Sequence, residues 1–293
     1  LTEQIAHLPV LQEKVVQMLN IRQGGIFVDA TIGLGGHAEA ILAGIGSDGR
    51  LIGIDRDAEA ILIAQERLSD SRVTLMRGNF SEMEKSIKAE GITAVDGILF
   101  DLGMSSLQVK SPWRGFSFLS EEPLDMRMDR SQQLSARDIV NRYSERDLAR
   151  IFREFGEEPF ARKIAKAIVE RRVRMPIEAC SELSHIVEKI YRKRGRMHPA
   201  TRVFQALRIA VNRELDELTQ GLHAALRILK QGGRICVIAY HSLEDRIVKH
   251  FIADSAKAGF CRIVTRKPIT PDPEEMRGNP ASRSAKLRVA EKI

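Results

Sequence analysis

The chain has 293 residues, of which 43% are hydrophobic and 29% charged, with a formal net charge of +7. This length fits one large domain or a core with a second module, and the composition is that of a globular protein. No run reaches the ~18 apolar residues of a membrane span, the opening LTEQIAHLPV lacks the pattern of a signal peptide, and Cys180, Cys236 and Cys261 match no metal or disulfide spacing. A reduced, cytoplasmic protein without metal or membrane is expected.

In chain order, the first signal is an apolar run at 25–30, whose Ile26, Phe27 and Val28 read as a buried strand. It leads into DATIGLGGH, residues 29–37, and a helix candidate at 37–44. Gly33, Gly35 and Gly36 allow a tight turn and close approach of backbone to a ligand. The next strand, RLIGID, ends in Asp55, 20 residues after Gly35. Gly33-x-Gly35-x-x-Ala38 followed by such an acid is how an open α/β sheet holds a nucleoside, and the spacing leaves NAD and S-adenosylmethionine both open.

Helix candidates at 58–68 and 81–90 flank a strand at 72–77, and a fourth strand at 95–101 ends in Asp101. Strands alternating with helices predict a parallel, doubly wound, Rossmann-like sheet. Strands one and four of such a sheet flank the point where ligands bind, so Asp101 is expected beside the cofactor. A dehydrogenase usually brings His, Lys or Tyr to that place. Here DLGMSS brings a carboxylate, a flexible turn and the hydroxyls of Ser105 and Ser106, which suit an amine substrate.

The alternation then stops. Residues 109–211 read as helical and hold 22 Lys and Arg against 14 Asp and Glu, a net of +8, whereas the remainder nets −1. A near-neutral frame (1–108 and 212–293) with an inserted basic helical domain (109–211) is expected, the insertion holding a polyanion. It opens with SPWRGFSF, where Trp113 and Arg114 are candidates to hold an unstacked base and Phe116 and Phe118 are equally an apolar anchor. The alternating charges of PLDMRMD suit ion pairs. A helix at 161–172 places Ala161, Ile164, Ala165, Ile168 and Val169 on one face. The densest basic stretch, 191–202, carries Arg192, Lys193, Arg194, Arg196 and Arg202 and reads as a loop suited to a phosphate backbone.

From Val211 onward, Leu215, Leu218, Leu222, Leu226 and Leu229 predict one long helix stopped by Gly232 and Gly233. Its stripe reads as core-facing rather than as a seam with a second chain. GRICVIAYH resumes the sheet. His241, in the turn that follows, either contacts substrate or fixes the turn, and Ser242 with Asp245 resembles a capping box opening a helix at 243–252. Runs at 261–265 and 284–290 are placed to finish the sheet, on either side of a Pro-rich loop.

The motifs DATIGLGGH, DLGMSS, RGFSF, PLDMRMD, HPATRVFQALRIAVNREL and HSLEDRIVK, in this order, resemble the bacterial small-subunit (16S) ribosomal RNA cytidine-N4 methyltransferases, the RsmH or MraW family. The likeness runs from His7 to LRVAE near the end. It implies S-adenosylmethionine as methyl donor and the exocyclic N4 of a decoding-region cytidine in 16S rRNA as acceptor, free or within the small subunit or a precursor. Carried over position by position, it implies cofactor contacts at Gly35, Gly36, His37, Asp55, Phe80, Asp101 and Gln108. The sequence departs from the family at Met104, where Val is expected, and at Ala281 and Ser282, where Arg-Ala is common. The second departure removes one candidate RNA-contacting charge.

For such a transfer the expected acceptor of the N4 hydrogen is Asp101, or the carbonyls of Leu102 and Gly103, with Ser105 assisting. Three rival readings stand beside this one. A nicotinamide oxidoreductase rests only on the glycine spacing. A DNA amino-methyltransferase is opposed by the lack of an S/D-P-P-Y/W tetrapeptide. A non-catalytic RNA-binding assembly factor is opposed by the intact Asp29, Gly35, Asp55 and Asp101.

Overall fold

A computed structural model describes residues 9–191 and 198–293. The chain divides into two compact units, Leu1–Ser105 with Leu215–Ile293, and Ser106–Glu214. The boundaries expected at 109 and 211 each fall three residues inside the second unit.

The first unit is a seven-stranded sheet. Its strands are β1 (Ile26–Asp29), β2 (Arg50–Asp55), β3 (Val73–Arg77), β4 (Val95–Asp101), β5 (Leu229–Ala239), β6 (Cys261–Ile263) and β7 (Lys286–Lys292), in the order β3-β2-β1-β4-β5-β7-β6. The first five are parallel, and β7 runs antiparallel to both β5 and β6. Val28 is in register with Ile52 and Ile98, and Ile98 with Ile235. This row packs on one face, against Met83, Ile87, Leu218, Leu222, Val248 and Ile252. Alternate residues Phe27, Leu51, Leu99 and Cys236 pack on the other, against Val15, Leu19, Ala38, Ile41 and Ala64. Burial on both faces is why these strands read as apolar runs rather than as a polar–apolar alternation. No helix of the described residues is long and apolar enough to cross a membrane.

Two expectations need correction. The stripe from Val211 to Leu229 belongs to two helices, Thr201–Asn212 and Glu214–Ile228, separated by Arg213 in the left-handed region at φ 51°. Moreover, Gly232 and Gly233 do not end a helix. The second helix stops at Ile228 and β5 begins at once, with Leu229 opposite Val95 and Arg234 opposite Gly97. Five residues of β5 therefore span two of β4. Gly232 has φ +76°, and a Cβ on Gly233 would stand 2.8 Å from the Asp96 carbonyl oxygen. The glycine pair makes a bulge, which needs the same backbone freedom as a helix stop.

The second unit is helical, with helices Ala136–Arg142, Glu145–Gly156, Ala161–Arg174, Cys180–Glu188 and Thr201–Asn212, and a short one at Ser106–Lys110. Ile139, Leu148, Phe152, Ile164, Ile168, Leu183, Val203 and Leu207 form its core. Phe116 joins that core, while Phe118 stacks on His198 at 4.3 Å, so the phenylalanine pair is an anchor. In PLDMRMD, Arg127 grips Asp125 with two hydrogen bonds of 2.7 and 2.8 Å. Asn212 holds the same loop, accepting from the Met128 amide and donating to the Met126 carbonyl.

Candidate active site

Three aspartates close three adjacent strands: Asp55 ends β2, Asp29 ends β1 and Asp101 ends β4. The chain runs outward from β1 to β3 and then crosses back to β4, so the carboxyl ends of β1 and β4 form the switch point of the sheet. Between Asp29 and the helix Gly36–Gly44 lies the glycine turn. Gly33 and Gly35 take φ +50° and +84°, and the Gly35 amide closes the turn on the Ile32 carbonyl.

Asp55 braces this turn. Its Oδ2 accepts from the Gly33 amide at 3.0 Å and its Oδ1 from the Asp57 amide at 2.9 Å. Each carboxylate oxygen keeps acceptor capacity after one such bond, so the pair still suits a ribose diol. Burial pushes Asp55 up to about 6, against the lowering effect of these two amides. Burial likewise pushes Asp29 up to about 7, opposed by His37 and by the Thr31 amide.

Asp101 is the hub. Its amide donates to Thr31 Oγ1 at 2.7 Å, and its Oδ1 accepts from the Tyr240 hydroxyl at 2.7 Å. Its Oδ2 lies 3.4 Å from Nε2 of the buried His37. Burial works against a charged His37, but Asp101, Asp29 and Glu275 outweigh it and hold its pKa above the ordinary histidine value. Among the described residues, Nδ1 of His37 has no hydrogen-bond partner, and Nε2 has only the 3.4 Å approach of Asp101. A polar ring so enclosed and unsatisfied fits a site completed by a ligand. Burial and the Asp101 charge push the Tyr240 hydroxyl up, so it stays a donor. Gly103 takes φ +101° in the turn after Asp101, a conformation that favours glycine, and a Cβ there would press on the Tyr240 ring at 3.2 Å.

Tyr240 and Thr31 were not singled out from sequence. Thr31 lies inside the glycine motif, and Tyr240 is two residues beyond Ile238, the β5 partner of Asp101. The pairing of β4 with β5 was the signal that could have found Tyr240. Phe80, in a short turn after β3, packs its ring edge-on to Phe100 at 5.5 Å and against Gly221, where a Cβ would stand 2.6 Å away. Ser105 ends the first unit and is partly exposed. Gln108 belongs to the second unit and is buried in its short opening helix.

The candidate RNA contacts divide. Trp113 is half exposed. Arg114 beside it is buried and donates to the Met128 carbonyl, so it is a structural residue rather than a surface contact. Arg202 donates to the Glu157 carbonyl at 2.9 Å, which ties it to the fold. His241 is the N-cap of the helix Ser242–Lys257, in a capping box with Glu244. The box expected from Ser242 and Asp245 thus lies one residue earlier, and Asp245 instead pairs with Arg288 at 2.7 Å. Arg192, Lys193, Arg194 and Arg196 lie outside the described residues.

A dinucleotide-binding sheet of order 3-2-1-4-5-6 would be parallel throughout. Here β7 is intercalated antiparallel between β5 and β6, which sets this sheet apart from that of a dinucleotide-binding dehydrogenase. These features define a Rossmann-like, S-adenosylmethionine-dependent methyltransferase. The profile of the MraW methylase family matches residues 4–293, and the chain belongs to that family. It is 49% identical over 304 residues to the ribosomal RNA small subunit methyltransferase H of Caldicellulosiruptor bescii, covering 98% of this chain and 99% of that protein. It is 48% identical over 294 residues to the protein of the same name from Persephonella marina, covering 99% and 100%. Among solved structures, a putative rRNA-methylase from Clostridium thermocellum is similar at a TM-score of 0.48 and 16% identity, over 96% of this chain and 95% of that one.

Proposed function

We propose that this chain methylates the exocyclic N4 of a cytidine in the decoding region of 16S rRNA, acting in the cytoplasm on the small subunit or a precursor of it. The full-length likeness to proteins called ribosomal RNA small subunit methyltransferase H supports the substrate class. The observation that carries the chemistry is the Asp101 hub, a carboxylate at the end of β4 held by Tyr240 and faced by His37. S-adenosylmethionine, when bound, supplies a methyl group on a sulfonium sulfur with a neutral leaving group.

The residues suited to hold it are Asp55 for the ribose hydroxyls, the backbone at Gly35 and Gly36 with His37 for the methionine end, and Phe80 for the apolar surface of the base. Gln108 is a further contact carried over from the family. Because the N4 lone pair of cytosine is delocalised into the ring, the task of Asp101 is to accept an N4 hydrogen and so localise that pair. The Tyr240 bond to Oδ1 fixes the carboxylate rotamer and leaves Oδ2, on the His37 side, to receive the proton. Ser105 and the Leu102 and Gly103 carbonyls are second acceptors for the amino group. The excess positive charge of the second unit holds the RNA backbone.

Mass spectrometry of small-subunit rRNA from cells with and without the gene tests this reading. Loss of an N4-methyl mark on one decoding-region cytidine is expected. An unchanged modification pattern would overturn it.

A further inference from the structure

The helix Ala161–Arg174 turns Ala161, Ile164, Ala165 and Ile168 to the core of the second unit and leaves Arg162, Lys163 and Lys166 exposed. Positions 162 and 166 are four apart and 163 and 166 three apart, so the three cations crowd one face within two turns. That arrangement is unfavourable for the helix. Like charges at these spacings repel, and cations in the first turn oppose the positive end of the helix dipole. The first turn holds no acid to offset them.

Among the described residues, Arg162 has no acidic partner, and Lys166 has only a loose 3.7 Å approach to the exposed Glu170. Two arginines in the last turn of the same helix are occupied. Arg171 donates to the Met175 carbonyl and to Glu182, and Arg172 to the carbonyls of Val140 and Tyr143. The cations that build the unit therefore sit where the dipole welcomes them. Arg162 and Lys163 are left in solvent in the first turn, where it does not.

The base of this face is packed and hydrogen-bonded into the unit. Lys163 Nζ stands 5.6 Å from the centroid of the Phe160 ring. That ring packs edge-on against Tyr191 at 4.9 Å, and the Tyr191 hydroxyl donates to both oxygens of the buried Glu158 at 2.7 and 2.8 Å. The Phe160 amide shares this anchor, donating to Glu158 Oε1 at 2.9 Å. A cluster of exposed cations on a packed platform complements a chain of phosphates, which neutralises the mutual repulsion that the free helix bears.

We propose that the face of Arg162, Lys163 and Lys166 is a docking surface for the phosphate backbone of the substrate RNA. This rests on the reading of the chain as an rRNA methyltransferase and adds where on the second unit the backbone lies.

The test is the salt dependence of binding to full-length transcribed small-subunit rRNA, read by fluorescence anisotropy. The protein is compared with the triple variant Arg162→Gln, Lys163→Gln, Lys166→Gln. Each phosphate that a side chain no longer neutralises lowers the slope of log K against log salt by about 0.7–0.9, so the slope of the triple variant should be shallower by about 2–3. Its affinity for S-adenosylmethionine should match the parent, and its melting temperature should equal or exceed the parent's, because the repulsion within the helix is removed. The charge-keeping triple Arg162→Lys, Lys163→Arg, Lys166→Arg should bind as the parent does. A parental slope in the neutral triple overturns the docking surface while leaving the rRNA reading intact. A flat slope in the parent overturns the reading and the surface together. Weaker binding to assembled small subunits with unchanged binding to naked RNA overturns the phosphate assignment in favour of an acidic protein face.

Discussion

In the first unit the candidate functional groups are carboxylates drawn into the fold and held by hydrogen bonds. In the second they are cations left in solvent. Asp55 and Asp101 are each fixed by at least one short bond, and burial raises Asp29 and Asp55 above the ordinary carboxylate range. Arg162 and Lys163 stand exposed at the unfavourable end of their helix. The contrast separates two tasks. A small cofactor and one amino group call for acceptors placed to a fraction of an ångström, whereas a polyanion calls for charge density and tolerates variable geometry. Losses in the first unit should be steep and local, and those in the second graded and salt-dependent.

The largest effect is expected at the hub. Asp101→Asn should keep the fold and lower methyl transfer by about 10²–10⁴-fold, the range for removing a proton acceptor, in a tritiated-methyl assay with saturating RNA. Near-parental turnover would move the acceptor role to the backbone carbonyls of Leu102 and Gly103. Asp55→Ala should come next. Two hydrogen bonds to a charged group are each worth about 1.5–3 kcal/mol, so calorimetry should show cofactor affinity weaker by at least about 100-fold, with RNA affinity unchanged. A change in both would blur the separation between the units.

A smaller effect follows from pH. Asp55 binds ribose hydroxyls as a carboxylate, so cofactor affinity should improve as pH rises through about 6, and Asp55→Asn should flatten that profile. Stability without ligand should move the other way. The folded pKa values of Asp29 and Asp55, about 7 and about 6, lie above their common unfolded value of 3.8. Their contribution is therefore fully present below pH 3.8 and is lost as pH rises towards 7. Asp29→Asn should raise the melting temperature at a pH of about 7.5 and change it little at about 4. The smallest effect is expected at Tyr240→Phe, which removes one bond to Asp101. It should lower kcat by about 10-fold, a loss of ~1.4 kcal/mol, without altering RNA affinity.

The sheet was legible because its parallel strands are buried on both faces and appear as apolar runs ending in acids. The break at Arg213 was not, since Val211 and Leu215 keep the helical stripe in phase across one left-handed residue that carries no apolar signature. Tyr240 was hidden for a topological reason: it meets Asp101 only because β5 pairs with β4 across the whole insertion. Arg114 misled in the opposite sense. An arginine beside a tryptophan reads as a surface cation, and nothing local reveals that it reaches the Met128 carbonyl in the interior. The cofactor motif was readable as a string because its residues are consecutive. The docking face was not, because helices expose cations for many reasons and only the partners of Arg171 and Arg172 show which ones are left over.

The division of labour is tested most directly by single-turnover transfer of labelled methyl from S-adenosylmethionine to small-subunit rRNA, with the product digested to nucleosides. The label should appear as N4-methylcytidine for the parent, vanish for Asp101→Asn, and persist at low salt but fall steeply with added salt for the triple variant at Arg162, Lys163 and Lys166. Label on another base or atom, or equal loss in both variants at low salt, would contradict it.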